Sequence, residues 1–237
     1  DRNSIMYNRF LAYAVHLFTI SGVYVSFLAI EAAVEKNISL VFLYLAIALF
    51  IDGIDGSLAR WADVKKFAPK INGEILDNII DFLSYVFIPA FVIHSFEFVS
   101  NELSDFAAFI ILVTSCFTFA NNNLKTKDNY FSGFPALWNI VLLYFYILDT
   151  AQFTNFCIIL ILAILTFTPI KFAHPFRVQN LRSLNLFVLL IWTILSFFLL
   201  IMRGVEEGYE PLLFWCWVGT NIYFIVITIT RTFKTDS

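Results

Sequence analysis

Charged residues are scarce. Asp, Glu, Lys and Arg make up only 14% of the 237 residues, where a water-soluble domain carries about a quarter. That shortage rules out a well-solvated globular surface. Histidine occurs three times and cysteine three times. Cys116, Cys157 and Cys216 lie inside apolar stretches without ligand spacing, so they read as small packing residues. His16, His94 and His174 have no partner at metal-ligand spacing, which leaves no zinc site to predict. His16, in the middle of an apolar run, reads as a satisfied donor between helices. No Ser-His-Asp or Cys-His order is legible. The net charge of −3, with no basic, aromatic-interleaved patch, argues against nucleic acid.

Apolar and aromatic residues are abundant. The chain is 60% hydrophobic and 19% aromatic, with 29 phenylalanines, and its mean hydropathy is +0.80. The solvent for most of it must be lipid. The opening Asp1–Phe10 segment is polar, so the first apolar run is expected to be a retained span and not a cleaved leader. Eight apolar runs of helical length follow one another: roughly Leu11–Ala33, Ile38–Asp52, Ile75–Phe98, Leu103–Ala120, Phe134–Leu148, Phe153–Pro169, Leu184–Met202 and Pro211–Arg231. The expected fold is all-α: a polytopic membrane bundle of about eight helices forming one domain over residues 1–237. Threaded with the N-terminus in the cytoplasm, it puts all of the 15 Lys and Arg on that side except Lys36 and Arg203. One misplaced span would destroy that segregation. Both termini are therefore expected to be cytoplasmic, as in a bacterial inner-membrane protein.

Charge inside a span is costly and marks function. Asp52, Asp55, Gly56, Ala59 and Arg60 fall at i, i+3, i+4, i+7 and i+8, one face of a helix. Gly73, Asp77 and Asp81 fall at i, i+4 and i+8, again one face. The two segments are joined by the Arg60–Glu74 connection, so their helices are antiparallel neighbours whose acidic faces can meet. Ile38 to Ile51 is about 21 Å of helix in a hydrocarbon layer about 30 Å thick. Asp52 thus lies within roughly 10 Å of the cytoplasmic boundary. Four carboxylates there would repel one another without cations. Two hard divalent ions, Mg²⁺ or Mn²⁺, suit an all-oxygen site and can clamp a pyrophosphate for in-line displacement. Gly56 and Ala59 leave room for a ligand near the backbone, and Arg60 can pair with a phosphate oxygen. Read singly, each aspartate would be an ordinary interface charge; four on two facing surfaces are not explained that way.

These residues resemble, position by position, the signature of the CDP-alcohol phosphatidyltransferase family: D-x-x-D-G-x-x-A-R, a spacer of twelve residues here, then G-x-x-x-D-x-x-x-D. The resemblance implies a metal-dependent displacement of CMP from a CDP-linked substrate by an alcohol. It implies metal ligation by Asp52, Asp55, Asp77 and Asp81, with Asp77 and Asp81 catalytic and Asp81 the base for the alcohol proton. It also implies nucleotide binding by Gly56, Ala59 and Arg60, and close helix packing at Gly73. Three further segments, Ile80–Ala90, Phe131–Asn139 and His174–Val178, resemble the bacterial phosphatidylcholine-forming branch. The substrates implied are CDP-diacylglycerol and choline, with membrane lipid as surroundings. By family analogy a homodimer is expected.

A quaternary ammonium cannot donate hydrogen bonds and is held by aromatic faces. Tyr85, one turn beyond Asp81, and Trp138, opening the fifth apolar run, are the choline candidates. Lys125 and Arg177 are the candidates for the lipid phosphates, although positive-inside topology accounts for most cytoplasmic cations. Two rival readings stay open. Serine could be the acceptor, or the acids could mark an ion path in a transporter. A transporter would show two matching halves, and the acids cluster only once.

Overall fold

The structure, a computed structural model, describes residues 2–121, 131–168, 171–172, 182–203 and 211–233. Ten α-helices are present among them: α1 (Arg2–Val34), α2 (Ile38–Trp61), α3 (Val64–Phe67), α4 (Gly73–Asp81), α5 (Ile88–Ser95), α6 (Asn101–Ala120), α7 (Trp138–Leu148), α8 (Gln152–Leu165), α9 (Arg182–Arg203) and α10 (Pro211–Phe233). A π-helical turn, Phe82–Phe87, joins α4 to α5 without a break, giving one helix over Gly73–Ser95. Two two-residue strands, β1 (Phe131–Ser132) and β2 (Lys171–Phe172), pair antiparallel.

Among the described residues six helices are long and apolar enough to cross a membrane; α7 and α8 are shorter. The all-helical reading therefore stands, with its fifth and sixth elements cut back. The fifth run was expected from Phe134, yet α7 starts at Trp138. Ala136, directly after Pro135, takes a left-handed φ of 56°, so a right-handed helix cannot run through it from Phe134. Gly133 has φ +88°, and a Cβ there would lie 2.3 Å from the Thr166 carbonyl oxygen. The chain runs tightly across the end of α8 at this point, and the Phe134 N–H donates to Leu165 O at 3.2 Å. The second run is longer than expected. It reaches Trp61, so every residue from Asp52 to Arg60 is helical.

Helices α2 and α4 start on asparagine side-chain caps. Asn37 Oδ1 accepts from Leu40 N–H at 3.2 Å, and Asn72 Oδ1 accepts from Glu74 N–H at 3.1 Å and Ile75 N–H at 3.3 Å. The largest core unites α1, α2, α5, α6, α7 and α8, with Val41, Ile88, Ile93, Ile111, Trp138 and Leu142 fully covered. Helices α9 and α10 close on α7 through Ile147, Trp192, Leu199 and Trp217. Large apolar side chains such as Leu17, Phe50, Phe153 and Phe187 are exposed around the bundle. In water that surface would aggregate, and in lipid it is solvated. The chain is an integral membrane protein.

The bundle end remote from Asp52 is tied together by polar contacts. Lys36 Nζ donates to Ser95 O and lies 5.1 Å from the Phe96 ring centroid. Gln152 Nε2 donates to Glu97 O and Asn155 Nδ2 to Phe98 O, both at 2.8 Å. Arg203 pairs with Asp149 at 2.5 Å and covers the Tyr146 ring. The two cations that the charge reading left on the far side are thus both engaged at one end.

At the other end, α1 is the wall against which α2 and α4 meet. Its buried residues from Ala12 to Ala29, namely Ala12, Val15, His16, Thr19, Gly22, Ser26 and Ala29, form one stripe at helical spacing. Gly22 is the notch: a Cβ there would lie 2.8 Å from Ile80 Cγ2. Ile80 is β-branched and cannot swing clear within a helix. Gly22→Ala is therefore expected to cost about 1–3 kcal/mol through overpacking and to lower turnover by shifting α4. Ile80→Ala in the same chain should recover most of both losses. Thermal unfolding in detergent and a CMP-release assay on the two single variants and the double variant check this. Additive losses would show that the notch does not position α4.

Candidate active site

The acidic faces of α2 and α4 do meet. One carboxylate oxygen each from Asp52, Asp55 and Asp77 lies within 4.8 Å of the other two. Asp55 is buried at 7% exposure, and Asp52 and Asp77 are half-buried. Two full negative charges at that spacing repel by roughly 3 kcal/mol at an effective dielectric near 20. Three such pairs strain the site unless a cation or protons compensate them.

Asp81 stands outside that triad, one turn further along α4. It borders it through Asp52, whose carboxyl is in hydrogen-bonding range of the Asp81 side chain. Its Oδ1 is buried and has no hydrogen-bond partner. The sequence placed all four aspartates around the ions. The structure brings three to a common point and leaves the fourth with an unsatisfied oxygen beside it. An all-oxygen donor set and an orphaned carboxylate oxygen are what a hard divalent cation and a polar substrate would complete. The triad could hold a metal ion.

The remaining signature residues are arranged as follows. Gly56 is open apart from Arg60: a Cβ at Gly56 would come within 3.5 Å of Arg60 Nη1. Arg60 is exposed on the last turn of α2 and donates from Nη2 to Ser57 Oγ at 3.0 Å. Its guanidinium thus lies back along the aspartate-bearing helix, at the terminus where a cation is favoured. Ala59 is half-buried and packs beside the small cluster of Ala12, Val15, Ala62, Val64 and Ala68. Gly73 lies against His16: a Cβ there would be 3.4 Å from His16 Cε1, an ordinary contact distance, so the packing does not by itself demand glycine.

Both aromatic candidates are placed differently from the sequence reading. Trp138 is fully buried, donates from Nε1 to Ser115 Oγ at 2.8 Å, and meets Phe134 edge-on at 5.1 Å between centroids. It presents no open face to an ammonium group. Tyr85 is on the aspartate side, but it engages through its hydroxyl, which donates to Asp52 Oδ2 at 2.5 Å. The residue is buried, at 8% exposure. Lys125 and Arg177 lie outside the described residues.

Helix α1 adds two residues that the sequence did not assign to the site. The Thr19 hydroxyl is in hydrogen-bonding range of Asp55. His16, one turn before it, packs against Gly73. The expectation that His16 is a satisfied donor is overturned: it is 4% exposed and its Nε2 has no partner. The legible signal was two polar residues at i and i+3 within an apolar run. Nothing in one span, however, says which neighbouring helix its polar side meets.

Known proteins resemble this chain over most of its length. A family model described as CDP-alcohol phosphatidyltransferase matches residues 9–170, from α1 to just short of β2. Among curated relatives, a phosphatidylcholine synthase of Pseudomonas aeruginosa is 41% identical over 95% of this chain and 93% of its own length. One of Mesorhizobium japonicum is 41% identical over 85% of this chain and 75% of its own. One of Borreliella burgdorferi is 35% identical over 96% of both.

Proposed function

This chain belongs to the CDP-alcohol phosphatidyltransferase family, and on that premise we propose that it transfers the phosphatidyl group of CDP-diacylglycerol to choline and releases CMP. The observation that carries the chemistry is the convergence of Asp52, Asp55 and Asp77 beside the orphaned Asp81 oxygen. The choice of choline is supported by relatives named phosphatidylcholine synthase that align over nearly the whole chain.

In net terms, the choline hydroxyl oxygen forms a bond to the lipid-bearing phosphorus. The bond from that phosphorus to the bridging oxygen breaks, and CMP leaves with that oxygen. Asp81 Oδ1 takes the hydroxyl proton; a base must lie within hydrogen-bond reach of the attacking group, and this atom has no protein partner. Asp52, Asp55 and Asp77 would hold divalent cations, Mg²⁺ or Mn²⁺. Bound there, such ions neutralise the diphosphate and stabilise the displacement. Arg60 pairs with a phosphate oxygen, and the open Gly56 face admits the nucleotide. Lys125 and Arg177 are proposed for the lipid phosphates. The site opens to the cytoplasm, with both termini on that side of a bacterial inner membrane.

Purified protein given CDP-diacylglycerol and Mn²⁺ is expected to release CMP when choline is added and to stay at background with serine, inositol or glycerol 3-phosphate. Release with serine but not with choline would overturn the acceptor and leave the reaction class standing.

A further inference from the structure

We propose that Tyr85 is a positioning residue for the triad: its hydroxyl fixes the Asp52 carboxylate so that one oxygen is turned to the cation shared with Asp55 and Asp77. This rests on the triad being the cation site. It replaces the contact with choline that the sequence suggested.

The hydroxyl of Tyr85 donates to Asp52 Oδ2 at 2.5 Å, across 33 residues and between two helices. A buried tyrosine normally finds a partner for its hydroxyl, and here the partner is a member of the triad. With Oδ2 bonded, the Asp52 carboxylate is restrained beside Asp55 and Asp77, one oxygen of each lying within 4.8 Å of the others. Partners behind a ligand commonly set its orientation, and losing one costs about 10–100-fold in metal affinity. Tyr85 as a residue is buried, at 8% exposure, so its ring has little free face for an ammonium group.

The backbone explains why Tyr85 is there. Pro89 has no N–H to offer and its ring would clash with the carbonyl four residues earlier, which is that of Tyr85. The helix widens over Phe82–Phe87, and the Ile88 N–H bonds to Leu83 O, five residues back. Ser84 Oγ steadies the entry by donating to Ile80 O at 3.0 Å. A π turn at this position, directly after Asp81, aims the phenol back at α2. Such turns recur at functional sites.

The test is Tyr85→Phe, which keeps the ring and removes the hydroxyl. Mn²⁺ binding to the purified protein without substrates, followed by the electron paramagnetic resonance signal of free Mn²⁺, is expected to weaken about 10–100-fold. The Mn²⁺ needed for half-maximal CMP release should rise in parallel, with the KM for choline unchanged. In an Asp52→Asn background the same substitution should cost less than about twofold, because coupled residues are not additive. Unchanged Mn²⁺ affinity in Tyr85→Phe would overturn the proposal, as would a full additive loss in the Asp52→Asn background. A raised KM for choline with unchanged Mn²⁺ affinity would instead return the phenol to the acceptor pocket. A wild-type protein that binds Mn²⁺ but ignores choline would sink only the acceptor reading. One that binds no Mn²⁺ would sink the triad itself.

Discussion

Asp81→Asn is expected to lower CMP release by roughly 10²–10⁴-fold, the range that a positioned general base contributes, while Mn²⁺ binding stays close to wild type. The two halves of that expectation have separate grounds. Asparagine matches aspartate in shape, so the packing of α4 survives, but a neutral amide cannot carry away the alcohol proton. Asp81 also lies outside the group of three carboxylates that share a point, so its charge is the one least needed to hold an ion. The measurement is CMP release at saturating Mn²⁺, CDP-diacylglycerol and choline, beside Mn²⁺ titration and thermal unfolding of the same preparation. Turnover within about threefold of wild type, set against that 10²–10⁴-fold range, would remove Asp81 as the base. A large loss of Mn²⁺ affinity would move it into the ligand set.

Much of this site could be read from spacing alone, because it is built from whole helix turns. Asp52, Asp55, Gly56, Ala59 and Arg60 keep one face only if α2 continues past the apolar run, and it does so to Trp61. Gly73, Asp77 and Asp81 keep theirs because Asn72 starts the helix immediately before them. Periodicity fails where the backbone departs from the α register. The π turn after Asp81 follows from Pro89, and single-residue spacing does not reveal that the chain will widen and not break. The shortened α7 follows from Gly133, Pro135 and Ala136 acting together against the end of α8. Hydropathy carries Pro135 and Ala136 into the apolar run that opens at Phe134. Side-chain aim is a further gap. Tyr85 and Trp138 are equally plausible aromatic platforms in the sequence, and only packing shows one bonded to Asp52 and the other to Ser115.

The same limit explains α1. Its stripe of Ala12, Val15, His16, Thr19 and Gly22 reads as an ordinary buried face. The meaning of its polar members depends on a contact with segments more than thirty residues away. Gly22 admits Ile80, which seats α4. Thr19 then meets Asp55, and His16 meets Gly73. The opposite end of the bundle is pinned through Lys36, Gln152, Asn155 and Arg203. The acidic end can therefore hold like charges together without the helices splaying, because the cost of their repulsion is carried by packing elsewhere.

That balance gives Asp77→Asn an effect whose sign depends on the cation. With the metal chelated, three carboxylate oxygens within 4.8 Å repel one another, and neutralising Asp77 removes two of the three repulsive pairs, each worth roughly 3 kcal/mol at an effective dielectric near 20. The variant should therefore unfold at a higher temperature than wild type in EDTA. With Mn²⁺ in excess the order should reverse, since a ligand that binds only the folded state stabilises it by mass action and the variant has lost one of its donors. Its Mn²⁺ requirement for CMP release should rise at least about 100-fold, the upper end of what losing a mere supporting partner costs. Part of the lost turnover should return at high Mn²⁺, which no concentration of Mn²⁺ should achieve for Asp81→Asn. Unfolding temperatures with and without Mn²⁺, together with rates across a Mn²⁺ titration for the two variants, decide the matter. If the stability order fails to cross, the three carboxylates do not share a cation. If high Mn²⁺ rescues Asp81→Asn and leaves Asp77→Asn inactive, the roles of ligand and base are exchanged along α4.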